Sequence, residues 1–183
     1  MRFVVLDFET FFTNEKDSRG VEYRLKRQNE NACTTEEYIR HPWFQAHGAA
    51  IKWSKDHAAK WYAEKQLRYV LAQEDWSDVC LICHHQHFDG FILSHHYGVV
   101  PKMYACTLSM ARLLLGNHIS VSLDSVRAQY GFPAKRTPYN LFRGKKWGEL
   151  DRQTQSLVAE GACDEVESIW KLFGILAKDF PKE

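Results

Sequence analysis

The sequence lacks an excess of charge of either sign: 24 Lys and Arg stand against 23 Asp and Glu, for a formal charge of +1. Tight, sequence-independent duplex binding by bulk positive charge is therefore not expected, although overall neutrality can conceal a local basic surface. No apolar run approaches the roughly 18 residues that a membrane-spanning helix needs. Met1 leads straight into an apolar strand pattern, leaving no room for a signal peptide. The expectation is a soluble cytoplasmic protein with no membrane partner. The five cysteines, Cys33, Cys80, Cys83, Cys106 and Cys163, are an odd number, which suits reduced thiols rather than a disulfide framework. Internal repeats and low-complexity segments are absent. What is present is 183 residues, 45% hydrophobic and 14% aromatic. That suffices for one well-buried core and is short for two, so residues 1–183 read as a single domain.

The chain is organised around Arg2-Phe-Val-Val-Leu-Asp7-Phe-Glu9-Thr10. Apolar residues of high β preference run into an acid, an aromatic and a second acid, the pattern of a buried strand with carboxylates at its C-terminal end. Side chains alternate along a strand, so Asp7 and Glu9 share one side of it. Adjacent carboxylates repel and resist desolvation, and a hard divalent cation such as Mg²⁺ or Mn²⁺ resolves the conflict. The competing reading puts both acids in a solvated loop just past the strand.

Cys80-Leu-Ile-Cys83-His84 formally matches the attachment signature of c-type haem. It lies, however, in an apolar strand pattern, and haem attachment belongs outside the cytoplasm, so no haem is expected. A zinc site from Cys80, Cys83, His84, His85 and His87 is disfavoured because alternation sends Cys80 and Cys83 to opposite faces. Small buried cysteines are expected instead. The histidines between His84 and His96, near the proposed site, suggest activity that changes between about pH 6 and 7.

Residues 14–31 are polar with no clear period and read as a loop or irregular β excursion overhanging Glu9. Thr34 to Glu37 forms a capping box, opening a short helix that Pro42 ends. Strands are predicted over Phe44–Trp53 and Ala58–Ala63, a helix over Gln66–Gln73, and a central strand over Val79–Cys83. A third helix begins near Phe88 and carries Asp89 in its first turn, at the sheet edge where the first strand ends. Thr107 is predicted to cap a helix through Leu115, and Ser122 another through about Tyr130. Ser125 to Gly148 contains no acid at all. It carries Arg127, Lys135, Arg136, Arg143, Lys145 and Lys146 among Tyr130, Phe132, Tyr139, Phe142 and Trp147. Such a mixture suits a phosphodiester backbone and stacked bases, or else a solvated loop with buried anchors. A last helix spans about Arg152 to Lys178, with Glu160 and Asp164 four residues apart on one side.

Asp7-x-Glu9, Phe88-Asp89 at a helix start, and an acid on the C-terminal helix together resemble the DEDD family of 3′→5′ exonucleases in the ribonuclease H-like superfamily. Leu6-Asp-Phe-Glu-Thr10, Thr34-Thr-Glu-Glu-Tyr-Ile-Arg40, Phe88-Asp-Gly-Phe-Ile-Leu93, His96-Tyr-Gly98, Pro101-Lys-Met-Tyr104 and Thr107-Leu-Ser-Met-Ala-Arg112 look like exonuclease domains of phage-type family A DNA polymerases. The resemblance implies an α/β fold, a mixed five-stranded sheet flanked by helices. It also implies two divalent ions, Mg²⁺ or Mn²⁺, held by Asp7, Glu9, Asp89 and Asp164. In that scheme Asp7 bridges both ions, Glu9 and Asp164 hold the one that activates water, and Asp89 supports the other through water. Thr10 and Phe88 lie against the terminal nucleotide, and His85 stands where the family carries an Asn. Lys135, Arg136, Arg143, Lys145 and Lys146 are the expected substrate contacts.

The third motif departs from the family, which places a Tyr four residues, or a His five, before the last Asp. Glu160 and Ala159 occupy those places, and Glu160 is the expected catalytic replacement. An alternative register makes Glu165 the ligand and Gly161 the Tyr equivalent; Asp164 is preferred because it keeps the Asp and a reactive group before it. The expected activity is hydrolysis of phosphodiester bonds at the 3′ end of single-stranded DNA, with any proofreading for a DNA polymerase performed in trans. The competing readings are an exonuclease fold weakened into a nucleic-acid or protein binding module, and an exoribonuclease.

Overall fold

A computed structural model describes residues 1–26, 30–116 and 118–181. The apolar stretch at the N-terminus forms β1 (Arg2–Thr10), the middle strand of a five-stranded sheet. On one side β1 pairs antiparallel with β4 (Ala46–Trp53), which pairs antiparallel with β5 (Lys60–Ala63). On the other it pairs parallel with β6 (Val79–Cys83), which pairs parallel with β7 (Met103–Cys106). Helix α2 (Glu64–Ala72) links β5 to β6 and makes that parallel neighbour possible. The mixed sheet implied by the sequence is thus observed, with edges at β5 and β7.

Alternation along β1 divides the core. Val4, Leu6 and Phe8 pack with Leu67, Leu71, Ile92 and Leu93 beneath α2 and α3 (Gln86–Tyr97). Val5 joins Ala50, Ile82, Val166, Ile169 and Leu172 beneath the 28-residue α7 (Arg152–Asp179). Each fully buried Leu or Ile contributes about 1.5–3 kcal/mol of transfer free energy, so the sheet is held from both faces. Helix α1 (Thr35–Arg40) opens on the capping box read from the sequence: Glu37 N–H donates to Thr34 Oγ1, and Thr34 N–H donates to Glu37. Gly98, at φ 67, closes α3 in the left-handed conformation.

Several boundaries differ from expectation. The polar 14–31 segment contains β2 (Glu22–Leu25), paired parallel with β3 (Ala32–Cys33); residues 27–29 lie outside the described ones. Phe44 precedes its strand because its ring stacks on His96 at 4.1 Å instead. Thr107 does not cap α4 (Thr107–Leu115). It is the first helical residue, and its hydroxyl donates to the Cys83 carbonyl. Ser122 does cap α5 (Leu123–Gln129), accepting from Ser125 N–H. The acid-free stretch contains α6 (Tyr139–Phe142), too short for periodicity to reveal. All five cysteines are free thiols, and among the described residues no helix is long and apolar enough to cross a membrane.

Candidate active site

Phe3 and Val5 of β1 pack beneath α7, and alternation continues their row into Asp7 and Glu9. These two acids enter a cleft that Asp89 of α3 and Glu165 of α7 also line. Glu9 is 4% exposed, Asp89 2% and Glu165 1%. Phe8 N–H donates to Asp89 Oδ1 at 3.1 Å, which ties the start of α3 to the end of β1. Asp7, Glu9 and Asp89, the acids singled out in the sequence, are thus placed along one cleft.

Burial and neighbouring carboxylates suppress the ionisation of Asp7, Glu9 and Asp89. Burial first, then repulsion from Glu165 and Asp89, hold Asp7 well above the usual carboxylate range. Glu9 is raised well above it by burial and Glu165. Burial brings Asp89 to about 7, although the N–H groups of Phe8 and of Asp89 itself favour its ionised form. Among the described residues, Lys135 is the cation bonded to this set, with Nζ 2.6 Å from Glu165 Oε2. Burial disfavours its ammonium, but attraction to Glu165 and Asp7 outweighs that and raises its pKa above the ordinary lysine value.

One ammonium leaves negative charge in surplus, and every donor is a hard oxygen, so the residues present fit Mg²⁺ or Mn²⁺. Among the described residues, no three His, Cys, Asp or Glu side chains make a finished metal cage.

A consequence concerns the metal-free protein. Asp7, Glu9 and Asp89 hold protons more tightly folded than unfolded, so folding stability falls as pH rises between their unfolded values near 4 and their raised folded values. Buried His47 and His84, lowered to about 4, oppose this trend, but only below pH 6.5, where unfolded histidine titrates. Between pH 6.5 and 8.5 the melting temperature in EDTA should therefore fall. Millimolar Mn²⁺ at pH 8 should restore it, as thermal unfolding at the two pH values will test.

Asp164 and Glu160 are placed elsewhere. Arg127 of α5, fully buried, donates from Nη2 to Asp164 Oδ2 at 2.7 Å, and Asp164 does not line the cleft. Glu165 occupies the place at the cleft expected of Asp164. Glu160 is exposed on the outer side of α7 and accepts from Ser156 Oγ at 2.9 Å, away from the acids. Gly161 lies one helical turn before Glu165, and a Cβ there would stand 2.6 Å from Thr137 Oγ1 and 2.8 Å from Thr137 Cα.

Of the expected substrate contacts, Thr10, His85, Phe88, Lys135 and Arg143 line the cleft, whereas Arg136, Lys145 and Lys146 are exposed outside its lining. Thr10 shares a 2.7 Å hydrogen bond with Tyr38. His85 lies parallel to Phe88, centroids 6.3 Å apart, and Arg143 stands over Phe12 at 5.9 Å. Two other histidines of the 84–96 stretch are structural. His84 is bonded through both ring nitrogens, to Thr107 Oγ1 and the Val121 carbonyl. His96 bonds the Ile39 carbonyl. Burial lowers the pKa of both, and of His85 in the cleft, so these three contribute less than free imidazoles to the expected change between pH 6 and 7.

The sequence reading missed Thr137 and Tyr139. The Thr137 hydroxyl donates to Glu165 Oε1, and Tyr139 OH lies 3.4 Å from the same oxygen. Their signal was the alternation Lys135-x-Thr137-x-Tyr139, which sends three polar groups to one side of an extended segment. Arg24, Leu25 and Lys26 from the β2 region also line the cleft, as the expected overhang.

No protein-family model matches the chain, and no curated protein matches it in sequence. Solved structures do resemble it. Brucella melitensis NrnC matches with a TM-score of 0.58 at 18% identity, over 96% of this chain and 72% of its own. The same protein with bound Mg²⁺ gives identical values. Escherichia coli RNase D, an exoribonuclease involved in structured RNA processing, matches with a TM-score of 0.55 at 14% identity, over 96% of this chain and 40% of its own. The chain therefore shares its fold, a mixed five-stranded sheet flanked by helices, with these structures.

Proposed function

We propose that this protein is a metal-dependent 3′→5′ exonuclease acting on single-stranded nucleic acid. The observation that carries this reading is the meeting of Asp7, Glu9, Asp89 and Glu165 in one cleft. That cleft is built on a fold shared with an NrnC structure holding Mg²⁺, another NrnC structure bound to pGG, and an exoribonuclease. The four acids would hold two divalent ions, which supply activation of water and neutralisation of charge at phosphorus.

The chain's own residues supply the rest. Phe88 and His85 offer stacking surfaces for a terminal base, and Phe12 and Tyr139 also line the cleft. Arg143 is available to a phosphate, since among the described residues its side chain hydrogen-bonds only to Asn140. The acids themselves repel a polyanion, which suits a site entered by one frayed strand end rather than by a duplex. Single-stranded DNA is the first candidate substrate, by resemblance to polymerase exonuclease domains, with service to a DNA polymerase in trans as the associated role. The exoribonuclease reading draws on the likeness to RNase D.

The test uses 5′-labelled DNA and RNA strands of one sequence, each with a free or a chemically blocked 3′ end, in Mg²⁺ or Mn²⁺. A ladder shortening from free 3′ ends is the expected result, and the faster substrate identifies the sugar. Tight binding with no turnover would instead support the binding module, and internal fragments would contradict the exonuclease.

A further inference from the structure

Glu165 is the acid whose surroundings are least accounted for by cation binding. Three groups from a single segment, residues 133–142, reach it: the Lys135 ammonium at 2.6 Å, the Thr137 hydroxyl, and the Tyr139 hydroxyl at 3.4 Å. Lys135 Nζ also donates to Tyr139 OH at 2.9 Å, so the ammonium and the phenol form one unit. The segment is anchored from behind. Arg127 Nε donates to the Pro133 carbonyl at 2.7 Å, Arg127 Nη2 to the Ala134 carbonyl at 3.4 Å and to Asp164, and Lys135 N–H donates to Asp124 Oδ1 at 3.0 Å.

Gly161 makes this approach possible. Its missing side chain is the space Thr137 occupies, since a Cβ would fall within 3 Å of three Thr137 atoms. A large residue at 161 and the segment in its present course exclude each other.

We propose that Lys135 and Tyr139 together orient the attacking water and the scissile phosphate beside Glu165, a task for which the last helix offers only Gly161 and the outward-facing Glu160. The proposal rests on the exonuclease reading. An ammonium and a phenol beside a carboxylate can hold a water by hydrogen bonds while one faces a phosphate oxygen. Thr137 is a positioning residue: it fixes the Glu165 carboxylate and seats the segment on α7.

The test compares wild type with Lys135→Ala, Lys135→Arg and Tyr139→Phe, following kcat and KM on a 5′-labelled single strand and Mn²⁺ affinity by calorimetry. Positioned acid–base and orienting groups contribute about 10²–10⁴-fold. Lys135→Ala and Tyr139→Phe should therefore lower kcat at least about 30-fold with KM within about threefold. Lys135→Arg, which keeps the charge, should recover part of the loss. Because an ammonium competes with a divalent ion for Glu165, Lys135→Ala should bind Mn²⁺ no more weakly than wild type. If Lys135 merely braced Glu165, metal affinity would fall along with kcat, and that result overturns the proposal. So does a kcat within threefold of wild type in both Lys135→Ala and Tyr139→Phe. An inactive wild type would overturn the exonuclease reading as well, whereas active wild type beside fully active variants sinks this proposal alone.

Discussion

Glu165→Gln is expected to lower the cleavage rate at least about 10³-fold, or about 4 kcal/mol of transition-state stabilisation. The amide keeps the size of the side chain and removes the charge that the cleft needs in order to hold a divalent cation. Glu160→Gln should stay within about twofold of wild type, because Glu160 is exposed and bonded only to Ser156 among the described residues. In EDTA, Glu165→Gln also relieves repulsion on Asp7, Glu9 and Asp89, each of which Glu165 pushes toward the protonated form. Against this stands the lost ion pair with Lys135. Rates on a labelled strand for the two variants, beside wild type, decide the matter. Equal loss in both would return Glu160 to the site.

Arg127→Met should destabilise the protein by about 3 kcal/mol, the low end of what breaking a buried ion pair costs. The low end applies because the Asp164 side chain keeps 33% of its surface exposed, so water compensates part of the loss. The remainder comes from the carbonyls of Pro133 and Ala134, which lose the buried guanidinium. Thermal unfolding should show a drop of roughly 6–12 °C for a chain of this size. Activity should fall as well, since the same guanidinium anchors the segment bearing Lys135. Pairing Arg127→Met with Asp164→Leu should recover some stability, because removing both members of an ion pair leaves no lone charge. A single variant that melts with wild type would show that the 133–142 segment is held by other means.

The elements legible in the sequence were those whose signals are local. The apolar run into Asp7 and Glu9, the Val79–Cys83 strand, the Thr34–Glu37 capping box and the length of the last helix all follow from patterns a few residues wide. The choice between Asp164 and Glu165 was not local. Adjacent helical residues differ by about 100° around the axis, and which of them faces the cleft depends on the fit of α7 to the sheet. Val158, Ala162, Val166 and Ile169 fix that fit, and Glu160 falls on the outer side. Chemical plausibility favoured Asp164, while the buried guanidinium of Arg127, 37 residues away in sequence, ties Asp164 outside the cleft lining. Thr137 was hidden for a similar reason, because its close approach to α7 depends on Gly161 in another element. In the acid-free stretch Phe142 is a buried anchor, Lys145 and Lys146 are solvated, and Lys135 and Arg143 line the cleft, a division that depends on tertiary placement rather than on composition.

On the proposed function, Asp7, Glu9, Asp89 and Glu165 form one cation-dependent hydrolytic centre. Its most direct test is a time course of wild type and Asp7→Asn on a 5′-labelled single strand, with Mn²⁺ and with EDTA. A stepwise ladder is expected from wild type with Mn²⁺, none with EDTA, and none from Asp7→Asn under either condition. A ladder that persists in EDTA, or one that Asp7→Asn produces at the wild-type rate, would contradict it.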